Sequence, residues 1–86
     1  MKLRDTVEGM LSKEYKERFR AEYFQLKLRL EKLDVLIRRA EAGELDFALT
    51  CPLELLQQQR REMSSYLLTL IQRAAIEDVD LTEYFN

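Results

Sequence analysis

The chain contains no histidine, one cysteine, one proline and two glycines among its 86 residues, and each shortage excludes something. Without histidine, nucleophilic triads and acid–base catalysis at neutral pH lose their commonest member, and the usual metal-ligand clusters are missing. Cys51 cannot form an internal disulfide, and a lone thiol fits a reducing compartment. Little Pro and Gly means little of the punctuation that strands and tight turns need. No apolar run approaches the ~20 residues that cross a bilayer. The opening MKLRDTVEGML lacks the features of a secretory signal, so the cytoplasm is the expected location. Gly-rich phosphate loops, nucleophile elbows and metal-binding spacings are also missing. The expectation is a non-enzyme without cofactor or metal.

What is present is rich in helix formers: 47% of residues are apolar and 35% charged. A chain this short buries only roughly 60% of the surface its unfolded form exposes, so its core is marginal. With disulfide and metal excluded, oligomerisation is the support left. The net charge of −2 hides an asymmetry. Residues 12–76 are mildly basic, whereas the last ten carry Glu77, Asp78, Asp80 and Glu83. The bias is too weak for duplex nucleic acid, which calls for a clustered basic footprint.

Ser12 is a candidate N-cap, and the stretch that follows reads as a first long helix over 12–42, stopped by Gly43. Phe19, Tyr23, Leu26, Leu30, Leu33, Ile37 and Ala40 alternate in spacings of four and three, a heptad seam that packs lengthwise against another helix. Tyr15 extends it toward the N-terminus. At ~100° per residue, Ala21, Phe24, Leu28 and Val35 gather on the opposite side. A helix in a monomeric hairpin needs one stripe. Two opposed stripes predict a second packing surface, expected here to be an oligomer interface. The alternative is that Phe24 and Leu28 are single exposed apolars, which are common.

The connection is assigned to 43–51, with Thr50 or Cys51 capping a second helix over 52–76 and Pro52 in its first turn. Leu53, Leu56, Met63, Leu67, Leu70 and Ala74 continue the seam, broken only by Arg60. Leu68, Ile71 and Ala75 widen one flank; the other carries Leu55, Gln59, Glu62, Tyr66 and Arg73. Two long seams with a short connection make an antiparallel hairpin. Phe47 and Leu49 are expected under the turn. Asp5-Thr6-Val7-Glu8 resembles a capping box, so a short helix is expected from Thr6 to Leu11. The acidic tail, 77–86, is either frayed or an arm docking onto a neighbour. The fold class is all-α, one domain spanning 1–86, assembling into a helical-bundle homo-oligomer.

Carboxylate pairs such as Glu14/Glu17 and Asp78/Asp80 are better explained as solvated faces than as metal sites. Cys51, with no base beside it, suits a turn rather than catalysis. The remaining chemistry is Tyr15 and Arg18 near the start of helix 1, opposite Tyr66 and Arg73 of helix 2. Arg offers a planar fork for phosphate and Tyr a face for a base, which suits a small nucleotide. The plainer alternative is half-buried Tyr packing and an ordinary Arg18–Glu22 pair.

The stretches YKERFRAEYFQLKLRLEKLDVLI and CPLELLQQQRREMSSYLLTLIQRAAIEDVDL resemble a family of short helical proteins of phages and prophages, named after a crAss-like phage. The resemblance covers about residues 14–81. Glu17, Arg18, Glu22, Tyr23, Leu26, Arg29, Lys32 and Leu33 match its first helix. Leu55, Leu56, Gln59, Met63, Tyr66, Leu67, Leu70 and Arg73 match its second. A looser likeness, of size and surface chemistry, is to phage sponge proteins, helical hairpins that oligomerise and sequester cyclic nucleotide immune signals. It implies an anti-defence protein in a bacterial host that binds a cyclic nucleotide or cyclic ADP-ribose type molecule through Tyr15, Arg18, Tyr66 and Arg73. The competing expectation is a protein-binding inhibitor or adaptor acting through the second apolar stripe.

Overall fold

The computed structural model describes residues 1–82, and every regular element among them is helical. A 3-10 turn, Leu3–Thr6, runs into a short helix α1, Val7–Met10; α2 spans Tyr15–Glu41 and α3 spans Leu53–Glu77. α2 and α3 lie antiparallel, since the start of α2 meets the end of α3 through Tyr15 and Glu77. At the far end Gln57 Nε2 donates to Glu41 Oε2 at 2.9 Å.

The seam residues predicted from heptad spacing form the contact between the long helices. Phe19, Leu26, Leu70 and Ala74 are buried together with Val79, and Tyr23, Met63, Leu67 and Leu81 pack against them. Ile37 and Leu70 are fully enclosed. Burying each such side chain contributes about 1.5–3 kcal/mol. Where Arg60 interrupts the seam, its Nη1 reaches Asp34 Oδ1 at 3.1 Å, and Asp34 Oδ2 also holds Arg38 Nε at 2.8 Å. Both Arg60 and Asp34 are about one-third exposed, so the pair adds little energy but pins the register of α3 on α2.

Both long helices end in the same device. Gly43, at φ 70°, donates to Ala40 O at 3.1 Å while Glu44 N–H reaches Arg39 O at 2.9 Å. Asp78, at φ 58°, takes the equivalent position after α3, and Val79 N–H donates to Ala74 O at 2.9 Å. Both are left-handed closures that satisfy orphan carbonyls and turn the chain sharply; the first has both Schellman bonds, and at the second Asp78 N–H joins Val79 N–H on Ala74 O. The second one aims Val79 into the core.

Several expectations need correction. Of the second stripe, Ala21 and Phe24 are buried within the protomer, 6% and 4% exposed. The N-terminal segment covers them, and Gly9 allows this because a Cβ there would sit 2.9 Å from Ala21 Cβ. The second packing surface exists, but over its first half the chain supplies its own cover. Leu28 is half-buried and Val35 is 57% exposed, so only that end of the stripe is left for a partner. Helix α2 begins at Tyr15, not Ser12; the Ser12 hydroxyl instead accepts from Glu14 N–H at 3.1 Å and donates to Glu17 Oε2 at 2.7 Å. Pro52 itself occupies the N-cap of α3, with no side-chain cap from Thr50 or Cys51. Phe47 stands 56% exposed instead of under the turn. The N-terminal helical segment starts at Leu3, where Asp5 Oδ2 accepts from Lys2 N–H at 2.7 Å.

The tail folds back on its own chain as far as Thr82. Arg20, buried on α2, donates to the carbonyls of Asp80 and Thr82, the latter at 2.7 Å, and Lys16 Nζ donates to Asp78 O at 2.9 Å. The rest of the predicted tail, including Glu83, lies outside the described residues.

The two glycines should respond differently to alanine. Gly9→Ala forces α1 away from Ala21, whose Cβ has no torsion to yield with, and should cost about 1–3 kcal/mol. Gly43→Ala meets open space and should cost only the left-handed strain, about 1–2 kcal/mol. Thermal melts read both, and only Gly9→Ala should also increase binding of an apolar dye as Phe24 is uncovered.

Candidate functional site

The antiparallel pairing brings the first turn of α2 beside the last turn of α3, and the charged groups there interlock. Arg73 Nε donates to Glu77 Oε2 at 2.9 Å, the i,i+4 spacing of one helical turn. Arg73 Nη2 donates across the hairpin to Tyr15 Oη at 2.7 Å, and Tyr15 Oη donates in turn to Glu77 Oε1. The guanidinium of Arg73 lies over the Phe19 ring, 4.9 Å from its centroid, so its plane is set from below as well. Tyr15 meets Phe19 edge-on at 6.2 Å between centroids.

Tyr15 and Arg73 of this triangle form one wall of an open cavity of about 370 Å³, lined by Met10, Tyr15, Arg18, Phe19, Glu22 and Arg73. Arg18 reaches it from the next turn of α2, anchored by a 3.0 Å bond from Nη1 to Ser12 O. Three of the four predicted ligand residues, Tyr15, Arg18 and Arg73, therefore surround a single space. Tyr66 does not. It lies two turns before Arg73, about 10 Å away along α3, and points to solvent at 45% exposure.

Each ionisation state follows from the geometry. The bond to Glu77, aided by desolvation, holds the Tyr15 phenol above its ordinary value of 10.0, so it remains a donor at neutral pH. Glu77 is held below its ordinary 4.5, first by the bond from Tyr15 and then by that from Arg73. Arg73 is held above its ordinary value, chiefly by the bond to Glu77. The cluster thus carries a permanent cation, a neutral phenol and a carboxylate at neutral pH.

Sequence reasoning missed Glu77, which was placed in the acidic tail; its spacing of four from Arg73 was the available signal. It also missed Met10 as a wall and Arg20 as the tail clamp, since both depend on chain reversal. Among the described residues no group of three His, Cys, Asp or Glu could hold a metal ion. No helix of the described residues is long and apolar enough to cross a membrane.

The carboxylate shift carries a pH signature. Glu77 has a folded pKa below its unfolded one, so its contribution is present above about pH 4.5 and lost as pH falls through the folded value. The difference in melting temperature between the unmodified chain and Glu77→Gln should be constant near neutrality and shrink below about pH 4.5. A difference that does not change with pH would mean that Glu77 is not bonded as described.

No curated protein and no solved structure is significantly similar to the chain. The model of one family, Sequestin, matches residues 13–76, which takes in α2, the connection and nearly all of α3. The match stops one residue short of Glu77 and leaves out the segment that covers Ala21 and Phe24. Its name speaks of sequestering, a binding role and not a catalytic one. With well over half of its length matched, the chain belongs to the Sequestin family.

Proposed function

We propose that the protein sequesters a small phosphorylated signal, of cyclic nucleotide or cyclic ADP-ribose type, and releases it unchanged. The observation that carries this is the meeting of Tyr15, Arg18 and Arg73 around one cavity floored by Phe19. Two guanidinium groups suit phosphate oxygens, while Tyr15 and Phe19 offer aromatic surface for a base. The cavity's volume, about 370 Å³, lies within the range of small-molecule sites but at its lower end. One protomer thus covers part of a nucleotide, and a neighbouring copy completes the enclosure. Leu28 and Val35, still open on the outer face of α2, are one contact through which copies join. Tyr66, outside the cavity of its own protomer, enters such a site only from a neighbour. The setting in which such sequestration is useful is phage counter-defence in a bacterial cytoplasm.

Isothermal titration with cyclic di- and trinucleotides and cyclic ADP-ribose isomers tests this directly. At least one should bind more tightly than about 10 μM. A charge-assisted bond to phosphate is worth roughly 1.5–3 kcal/mol, so Arg18→Ala and Arg73→Ala should each weaken binding about tenfold or more. Tyr66→Ala discriminates between sites: a loss places Tyr66 in a shared site, and no change confines binding to Tyr15, Arg18 and Arg73. If the whole panel fails to bind, a protein partner docking on the exposed apolar face of α2 becomes the better account.

Bound ligand should be recovered intact, by mass spectrometry, after prolonged incubation with the purified chain. Any hydrolysed or transferred product would overturn the non-catalytic assignment.

A further inference from the structure

One flank of α3 faces neither α2 nor the N-terminal segment. It carries Arg61, Ser64, Leu68, Ile71 and Ala75, and Asp78 at the cap continues the line; all six are exposed. The five helical residues are spaced three, four, three and four apart, so they fall within a stripe about 80° wide, and the left-handed Asp78 follows at its end. Leu68 and Ile71 at its centre are 56% and 41% exposed, a sizeable apolar surface to leave in water.

The order of chemical types along this stripe is basic, small, apolar, apolar, small, acidic. Run in the opposite direction, it meets its own complement. Placing a second α3 antiparallel, with the two-fold axis between Leu68 and Ile71, sets Leu68 of one copy against Ile71 of the other. The same register sets Ser64 against Ala75 and Arg61 against Asp78. Every layer matches, and none requires a shift. We propose that this flank is a self-complementary docking face for a second copy of the chain, independent of the outer face of α2 and of any ligand.

Each layer has a separate part. The apolar centre supplies the driving force, as a two-strand heptad seam does. Ser64 and Ala75 are short enough to let the two helix axes approach to about 8 Å, the close end of helix packing. The Arg61–Asp78 pairs sit at the rims, where exposure makes them weak in energy but decisive for direction. A parallel pairing would place Arg61 beside Arg61 and Asp78 beside Asp78. The cap geometry also contributes: Lys16 Nζ holds the Asp78 carbonyl at 2.9 Å, which fixes the residue at the end of the stripe. A symmetric contact of this kind closes on itself and does not propagate.

Sedimentation of the full chain over about 1–300 μM tests the face. The unmodified protein should assemble in even numbers of copies. Arg61→Asp sets like charges at both rims and should weaken association at least about tenfold, with helix content unchanged by circular dichroism. Adding Asp78→Lys to Arg61→Asp restores opposite charges and should recover most of the loss. Leu68→Glu should abolish the contact and halve the assembled mass. The proposal is overturned if the unmodified chain is monomeric throughout, if Leu68→Glu leaves its mass unchanged, or if the double charge variant associates no better than Arg61→Asp.

Discussion

Helix α2 is apolar on two opposite faces, and a chain with so little core to spare gains from covering both. One face, centred on Phe19, Leu26 and Ile37, is taken by α3. The other begins at Ala21 and Phe24 and is taken by the N-terminal segment, which reaches it because Gly9 has no side chain. α2 is therefore the middle layer of the molecule, and the elements on either side of it are placed by it. The result is long and thin, with extents of 43 × 24 × 22 Å. Its radius of gyration is 15.1 Å, against about 12 Å for a compact chain of this length.

The same constraint concentrates polar chemistry at one end. Chain reversal at Asp78 sends the tail back across α2, where Arg20 and Lys16 hold its backbone carbonyls. Around the helix from Arg20, Tyr15 and Arg18 meet Arg73 and Glu77 of α3. Cations on the first turns of α2 thus serve two purposes on two flanks: one pair straps the tail, and Arg18 joins Arg73 beside an open cavity. The network at that cavity is exposed, so it adds little to stability and mainly orients Arg73.

Membership in the Sequestin family fits this division. The matched region, 13–76, contains the hairpin and its Tyr15, Arg18 and Arg73, the residues on which the proposed function rests. The N-terminal cover and the tail that Arg20 and Lys16 strap down lie outside it and act on stability. A hairpin of two long seams leaves flanks on each helix that its own partner cannot reach, and it is these flanks that the proposed contacts between copies use.

Helix positions, the seam and the antiparallel pairing were legible because periodicity and connection length are local properties of the chain. Gly43 as a stop was legible for the same reason, since a left-handed position favours glycine. Asp78 in the equivalent position was not, because an aspartate gives no such mark. That Ala21, Phe24, Leu28 and Val35 form a second face was determined by the sequence alone; what covers it was not. Covering depends on how closely two segments approach, and only the folded chain shows that Gly9 lets α1 sit on Ala21. In the same way, the sequence placed Arg and Tyr near one end of the hairpin, but rotation of each helix about its axis decided which of them share a space. That rotation brought Tyr15, Arg18 and Arg73 together, recruited Glu77, and left Tyr66 two turns away.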